Sequence, residues 1–213
     1  NEVFVRVEVL LDNKRSIVYF KLAMRVKDEI KREAIFRATV KVVNEVGFAA
    51  SSVAKIAREA GVSPATIYIY YENKEDLLVS TYIEIKRRFS AVVLRDFDES
   101  LPIRDILERA WRNTFAFITE NPELFYYAEQ FANSPFINRV NREEIEKPFE
   151  PVLNTLRRGI EQKIIKEVPM DMLLAFIFYP AYMLAKPQLC PGVELTEETI
   201  EAAFSMAWDA IKR

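Results

Sequence analysis

Ser51–Leu78 reads SSVAKIAREAGVSPATIYIYYENKEDLL, and this stretch decides the fold. Ser52 is placed to cap a short helix in which Val53, Ile56, Ala57 and Ala60 share one face. Gly61 then allows a sharp turn in the left-handed region of backbone space. Ser63 caps a second short helix, with Pro64 at its first position, where a missing N–H costs nothing. Asn73 caps a longer helix that starts Lys74-Glu75-Asp76 and runs to about Arg95. The acidic first turn of that helix suits its dipole. Two short helices joined by a tight turn, the second carrying more than a core needs, are the means of setting a helix into a DNA major groove.

The second short helix assigns roles when placed on a wheel at about 100° per residue. Ile67 and Tyr71 point the same way and are expected to pack on the helices before them. Ala65, Thr66 and Ile69 occupy the opposite face, with Tyr68 and Tyr70 on the two flanks. Apolar groups and a hydroxyl on that face suit thymine methyls and base edges. The phenols of Tyr68 and Tyr70 suit phosphate oxygens. Ser52, Lys55, Ser63 and Lys74, at or near helix starts, complete the expected contacts to double-stranded DNA.

Upstream, Lys27–Val46 forms an amphipathic pattern. Ile35, Ala38, Val42, Val43 and Val46 recur at three- and four-residue steps, while Lys31, Arg32, Arg37, Lys41 and Glu45 face out. Gly47 is expected to end that helix. Residues 1–23 alternate apolar and polar around Asp12-Asn13 and suggest a β-hairpin. They are read either as a genuine extension or as translated upstream sequence. Downstream, helices are expected near 102–119, 122–133, 143–167, 169–187 and 196–212. Pro148, Pro151 and Pro180 should kink or shorten theirs. Four glycines among 213 residues leave few turns and favour an all-α fold.

Composition excludes several chemistries. The chain contains no histidine, so Ser-His-Asp, Cys-His and His-metal sites lack their base or ligand. The lone Cys190 cannot build a disulfide framework and fits a reducing, cytoplasmic compartment. The glycines make neither a P-loop nor a dinucleotide fingerprint. No catalytic residue, metal or cofactor is expected. The longest apolar run, Met172–Ala185, is too short to span a bilayer and contains Pro180. Residues 24–74 carry nine Lys/Arg against six Asp/Glu, whereas residues 75–213 carry seventeen against twenty-three. A basic small segment joined to an acidic larger one suits a phosphate-facing module beside one that faces something else.

Gly47-Phe48, Ser52-Val53, Ile56-Ala57, Ala60-Gly61-Val62-Ser63, Thr66-Ile67-Tyr68, Tyr71, Asn73-Lys74-Glu75 and Leu77-Leu78 together resemble the N-terminal signature of the TetR (tetracycline repressor) family. The resemblance covers residues 27–78. It implies an all-α homodimer with an N-terminal three-helix helix-turn-helix DNA-binding domain and a helical C-terminal ligand-binding and dimerisation domain. It implies release of DNA when a small effector binds. It also implies DNA contact by Thr66, Tyr68 and Lys74. Two departures stand out: Ala54 replaces a longer polar side chain, and Pro64 and Ala65 offer little hydrogen bonding. The expected division is 1–23, 24–73 for DNA binding, and 74–213 for regulation.

The regulatory half has no motif of comparable specificity. Trp111, Phe115, Tyr126, Phe131, Phe178 and Tyr182 are its candidates for a largely apolar effector pocket. The tyrosines of that half, with Arg112, Glu129 and Gln130, are candidate polar handles. The last two helices are expected to pair with their copies in a dimer, with Leu173, Phe176, Ile177, Phe204, Ala207, Trp208 and Ile211 supplying the apolar spacing. The reading is a ligand-responsive regulator, most simply a repressor. The rivals are a DNA-binding regulator without an effector, expected to have a closed C-terminal core, and a helical hydrolase built on paired carboxylates.

Overall fold

Two serine caps and two glycines set the N-terminal helices. A computed structural model describes residues 13–186 and 190–213, with side chains from residue 26 onward. Helix α1 spans Asn13–Ala50 and is interrupted at Gly47, whose φ of 75° is the left-handed conformation that glycine alone adopts freely. Helix α2 spans Val53–Glu59 and helix α3 Pro64–Tyr70. Each starts on a side-chain cap: Ser52 accepts from the Lys55 N–H, and Ser63 from the Thr66 N–H. Gly61, at φ 66°, makes the turn between them.

These helices belong to a first compact unit that reaches to Glu72; the second comprises Asn73–Arg213. The core of the first unit holds Ile35, Phe36, Val40 and Val43 of α1, Ile56 and Ala57 of α2, and Ile67 of α3. Lys41 pairs with Glu59 at 2.6 Å and ties α1 to α2. Val46 departs from expectation. It is exposed, because it sits in the last turn before Gly47. The expected hairpin over residues 1–23 is not found from Asn13 onward, where the chain is already α1. Its remaining part lies outside the described residues.

The second unit begins with α4 (Lys74–Val93), capped by Asn73, which accepts from the Asp76 N–H at 2.9 Å. It continues with α5 (Ile103–Glu120), α6 (Pro122–Ala132), α7 (Arg142–Glu146), α8 (Glu150–Glu161), α9 (Met170–Leu184) and α10 (Glu197–Ile211). A single helix over 143–167 is not what forms. Pro148 sits in a short 3-10 turn at Lys147–Phe149, and Pro151 opens α8. Helix α8 then closes at Gln162, and Lys163 takes a positive φ of 58° while the Ile164 and Ile165 N–H groups return to the Gly159 carbonyl. Helix α9, by contrast, runs through Pro180. Among the described residues there is no strand, only an isolated bridge from Ile165 to Lys212.

Helix α5 is the spine of this unit, packing on α4, α8 and α9. Trp111 stacks on Phe115 and meets the edge of Phe204 from α10. Tyr127 of α6 donates its hydroxyl to the Leu78 carbonyl of α4 at 2.8 Å, and Tyr82 stacks on Phe131 with centroids 4.4 Å apart. The apolar spacing expected for dimerisation is mostly core: Leu173, Ile177, Phe204, Ala207, Trp208 and Ile211 are buried within the subunit. Of that set only Phe176 is exposed. Met172, Tyr179 and Met183 lie on α9 with it, and Met206 lies on α10, all exposed.

Candidate nucleic-acid interface and ligand cavity

Helix α3 is two turns long, so one buried residue fixes its rotation. Ile67 is 0% exposed and faces the first unit's core. Its neighbours then have no choice of direction. Ile69 is 76% exposed and Tyr68 54%, with Ala65 also exposed and Thr66 half-buried. Tyr71 closes the helix, its N–H bonded to the Ile67 carbonyl at 3.0 Å.

The polar groups around this face are partly pre-set. The Ser63 and Thr66 hydroxyls lie 2.9 Å apart, so each orients the other at the start of α3. Ser52 caps α2 and is half-buried. Lys55 folds back to donate to the Ala50 carbonyl at 3.0 Å. Lys74 is the first residue of α4 and half-buried. Tyr70 is placed differently from the expectation of a phosphate donor. Its hydroxyl donates to Asp28 of α1, and the Arg32 guanidinium lies 4.5 Å from its ring centroid. The bond from Tyr70 holds the Asp28 carboxyl below the usual carboxylate range and pushes the phenol above its own. A phenol has one proton, and while Asp28 takes it none is left for a phosphate.

The second unit contains a cavity of about 620 Å³, within the size range of small-molecule sites. Helices α4, α5, α7, α8 and α9 all line it, with Phe149 from the 3-10 turn. Phe89, Val93, Val152, Leu174 and Phe178 make much of the wall apolar. Lys86, Arg157, Glu146, Asp171 and the Tyr182 hydroxyl are its polar groups. Burial pushes the Tyr182 phenol up to about 12, and it makes no hydrogen bond to the described residues.

Of the six candidate pocket residues, Phe178 and Tyr182 line this cavity; Trp111, Phe115, Tyr126 and Phe131 do not. Trp111 and Phe131 are fully buried in the α5 and α6 packing, Phe115 is buried beside Trp111, and Tyr126 is partly exposed on α6. Among the handles, Arg112 is committed to Glu108 and Glu197, and Glu129 to Lys186. Sequence reasoning passed over Lys86, Phe89, Phe149 and Arg157. They come from segments far apart in the chain, and the aromatic signal of α5 and α6 drew attention elsewhere.

Residues 35–81 match the family described as bacterial regulatory proteins, tetR family, and residues 102–212 match a tetracyclin repressor-like C-terminal domain. A solved TetR family transcription regulator from Marinobacter aquaeolei superimposes with a TM-score of 0.81 at 40% identity, over 88% of this chain and 98% of that one. The chain belongs to the TetR family of transcriptional regulators. It is therefore a DNA-binding regulator of transcription and not an enzyme. It is 29% identical to an HTH-type transcriptional regulator of Haemophilus influenzae over 85% of this chain and 95% of that protein. It is 32% identical to the fatty acid metabolism regulator protein of Bacillus subtilis, over 66% and 73% respectively. Like other TetR-family chains it is all-α, and among the described residues no helix is long and apolar enough to cross a membrane.

Proposed function

We propose that this TetR-family regulator is a cytoplasmic, ligand-responsive repressor that binds a near-palindromic operator as a homodimer. One observation carries the DNA half: Ile67 pins α3 inward, which leaves Ala65, Tyr68 and Ile69 exposed and Thr66 half-exposed on a face that the described residues of the first unit do not cover. Thr66 and Ile69 read base edges, the Tyr68 phenol donates to a phosphate, and Ser52, Ser63 and Lys74 contribute from helix starts. Lys55 joins them once it leaves the Ala50 carbonyl. Paired recognition helices about 34–36 Å apart enter successive major grooves.

The dimer forms through α9 and α10. Phe176, Met172, Met183 and Met206 are large apolar side chains left exposed among the described residues, as an interface face would be. The effector occupies the cavity behind α4. The name of the Bacillus subtilis relative, a fatty acid metabolism regulator, supports an occupant with a substantial apolar body. A filled cavity shifts α4, which follows α3 after only Tyr71 and Glu72 and the cap Asn73, and the shift weakens the grip on DNA. A regulator without an effector would have no need of such a cavity, and this argues against that alternative.

Selection of duplexes from a random library by the wild-type protein tests the reading. The enriched sites should be near-palindromic and take two chains each. Tyr68→Phe should weaken all duplexes alike, by about two- to tenfold per contact. Thr66→Val should change the order of preference among sequences. Phe176→Glu should yield monomers by sedimentation. If both α3 variants bind as wild type does, the assigned face is wrong; if Phe176→Glu stays dimeric, the assigned interface is wrong.

A further inference from the structure

The charges around the cavity are not equivalent. Arg157 is engaged by Glu150 at 2.5 Å and by Asn154 at 2.6 Å. Glu146, which also lines the cavity, pairs with Arg142 at 3.4 Å. Asp171 is exposed in the first turn of α9. Lys86 alone among the lining cations forms no ion pair with the described residues. Its ammonium lies 5.0 Å from the Phe149 ring centroid and 5.5 Å from that of Phe89. Ring faces compensate a cation only in part. Burial pushes the amine below the usual lysine range, and the charge of Glu146 offsets this incompletely. A cation held among phenylalanines without a carboxylate is costly, and Leu or Met would fill the same space without that cost.

An arriving anion would find the arrangement complementary. The wall beyond Lys86 is Val93, Phe149, Val152, Leu174 and Phe178, which suits an apolar tail. Tyr182, with a hydroxyl not bonded to the described residues, offers a donor to the same ligand. We propose that the occupant of the cavity is an amphipathic anion and that Lys86 receives its charged head. The proposal rests on the effector reading above and deepens it by naming the ligand's chemistry. It also assigns the charge to α4, the helix that the effector has to move.

The test uses the full chain without DNA and four probes that share one tail: octanoate, octyl phosphate, octanol and octylammonium. Calorimetric titration should show at least one of the two anions binding about tenfold or more tighter than octanol, the worth of a charge-assisted hydrogen bond, with octylammonium weakest. The tighter anion identifies the head as carboxylate or phosphate. Lys86→Met should bring the anions down to the octanol level while octanol itself binds as before. Lys86→Gln should do the same where methionine disturbs packing, and Lys86→Arg should keep the preference. Octanol binding as tightly as both anions, or a preference that survives both neutral variants, overturns the anion proposal and leaves the effector cavity standing. Failure of all four probes to bind overturns both.

Discussion

Ile67→Ala and Ile69→Ala remove the same atoms from positions two residues apart, and the structure assigns them opposite consequences. Ile67 is 0% exposed and Ile69 is 76% exposed. Truncating a buried Ile to Ala costs about 2–5 kcal/mol, the lost transfer energy plus the cavity left behind. The first unit ends at Glu72, and a core of that size rarely holds more than about 3–5 kcal/mol in reserve. Ile67→Ala should therefore consume most of its stability. Ile69→Ala should change folding by less than about 0.5 kcal/mol, as exposed substitutions do. Its cost falls on DNA binding instead. Three lost carbons, at about 0.8 kcal/mol each when fully buried, set a ceiling near ~2.4 kcal/mol per recognition helix. The two tryptophans, Trp111 and Trp208, both lie in the second unit, so their emission follows that unit, while circular dichroism follows every helix. Ile67→Ala should bring forward part of the dichroism transition and leave the tryptophan transition in place. Ile69→Ala should leave both unchanged and weaken anisotropy-measured binding to a selected duplex. Equal loss of stability in the two variants would mean that α3 is not rotated as described, and the DNA reading would fail with it.

Two other outcomes follow from packing and titration. A Cβ on Gly159 would stand 2.5 Å from Ile165 Cδ1 and 2.9 Å from its Cγ1, so Gly159→Ala should destabilise by about 1–3 kcal/mol despite the better helix propensity of alanine. Adding Ile165→Val, which deletes that Cδ1, should recover part of the loss in chemical denaturation, and a strictly additive cycle would refute the contact. Burial raises the phenols of Tyr82, Tyr127 and Tyr182 above their ordinary value of 10, that of Tyr182 to about 12. The folded chain thus holds these protons longer than the unfolded one, so their stabilisation is intact below pH 10 and lost as pH rises above it, for Tyr182 as pH passes about 12. Tyrosinate absorbance should appear for these groups together with loss of helix; a single ionisation centred on pH 10 for all nine tyrosines in a still-folded chain would contradict their burial.

What could be read from the sequence was what is settled within four residues. Ser52, Ser63 and Asn73 each cap the helix they precede, and each does so by accepting from the N–H three residues on. Ile67 points inward because helical period and a two-turn length leave no alternative. Tyr70 escaped the same logic. Its partner Asp28 is forty-two residues away, and no local rule brings them together. The apolar residues expected at a dimer face are mostly core for a related reason. On α9 an almost wholly apolar run offers both Phe176 and Ile177 as candidates, and only the packing of α5 and α10 decides which of them is covered. Residues 143–167 have a helical composition throughout. The prolines at 148 and 151 instead divide them, which lets Phe149 turn into the cavity wall.

Lys86 shows why a site of this kind is hidden from a linear reading and why its position still matters. On paper it is one of several basic residues on an amphipathic helix, where a solvated charge is the ordinary outcome. Its surroundings are assembled from α7, α8 and α9, so the missing counter-ion becomes visible only when those helices are in place. Along α4 it stands twelve residues from Lys74, about 18 Å at the rise of an α-helix. Coupling between effector and DNA sites typically amounts to about 1–3 kcal/mol. One charge-assisted hydrogen bond is worth about 1.5–3 kcal/mol. A single contact at Lys86, made in one position of α4 and broken in another, is thus large enough to supply the whole coupling. An anion that met Lys86 equally well in both positions would bind and regulate nothing. Whether the preference for an anionic head disappears once the chain is saturated with operator is therefore the sharper measurement. If octanoate binds the DNA-bound and DNA-free chain alike, Lys86 holds a ligand but is no part of the switch.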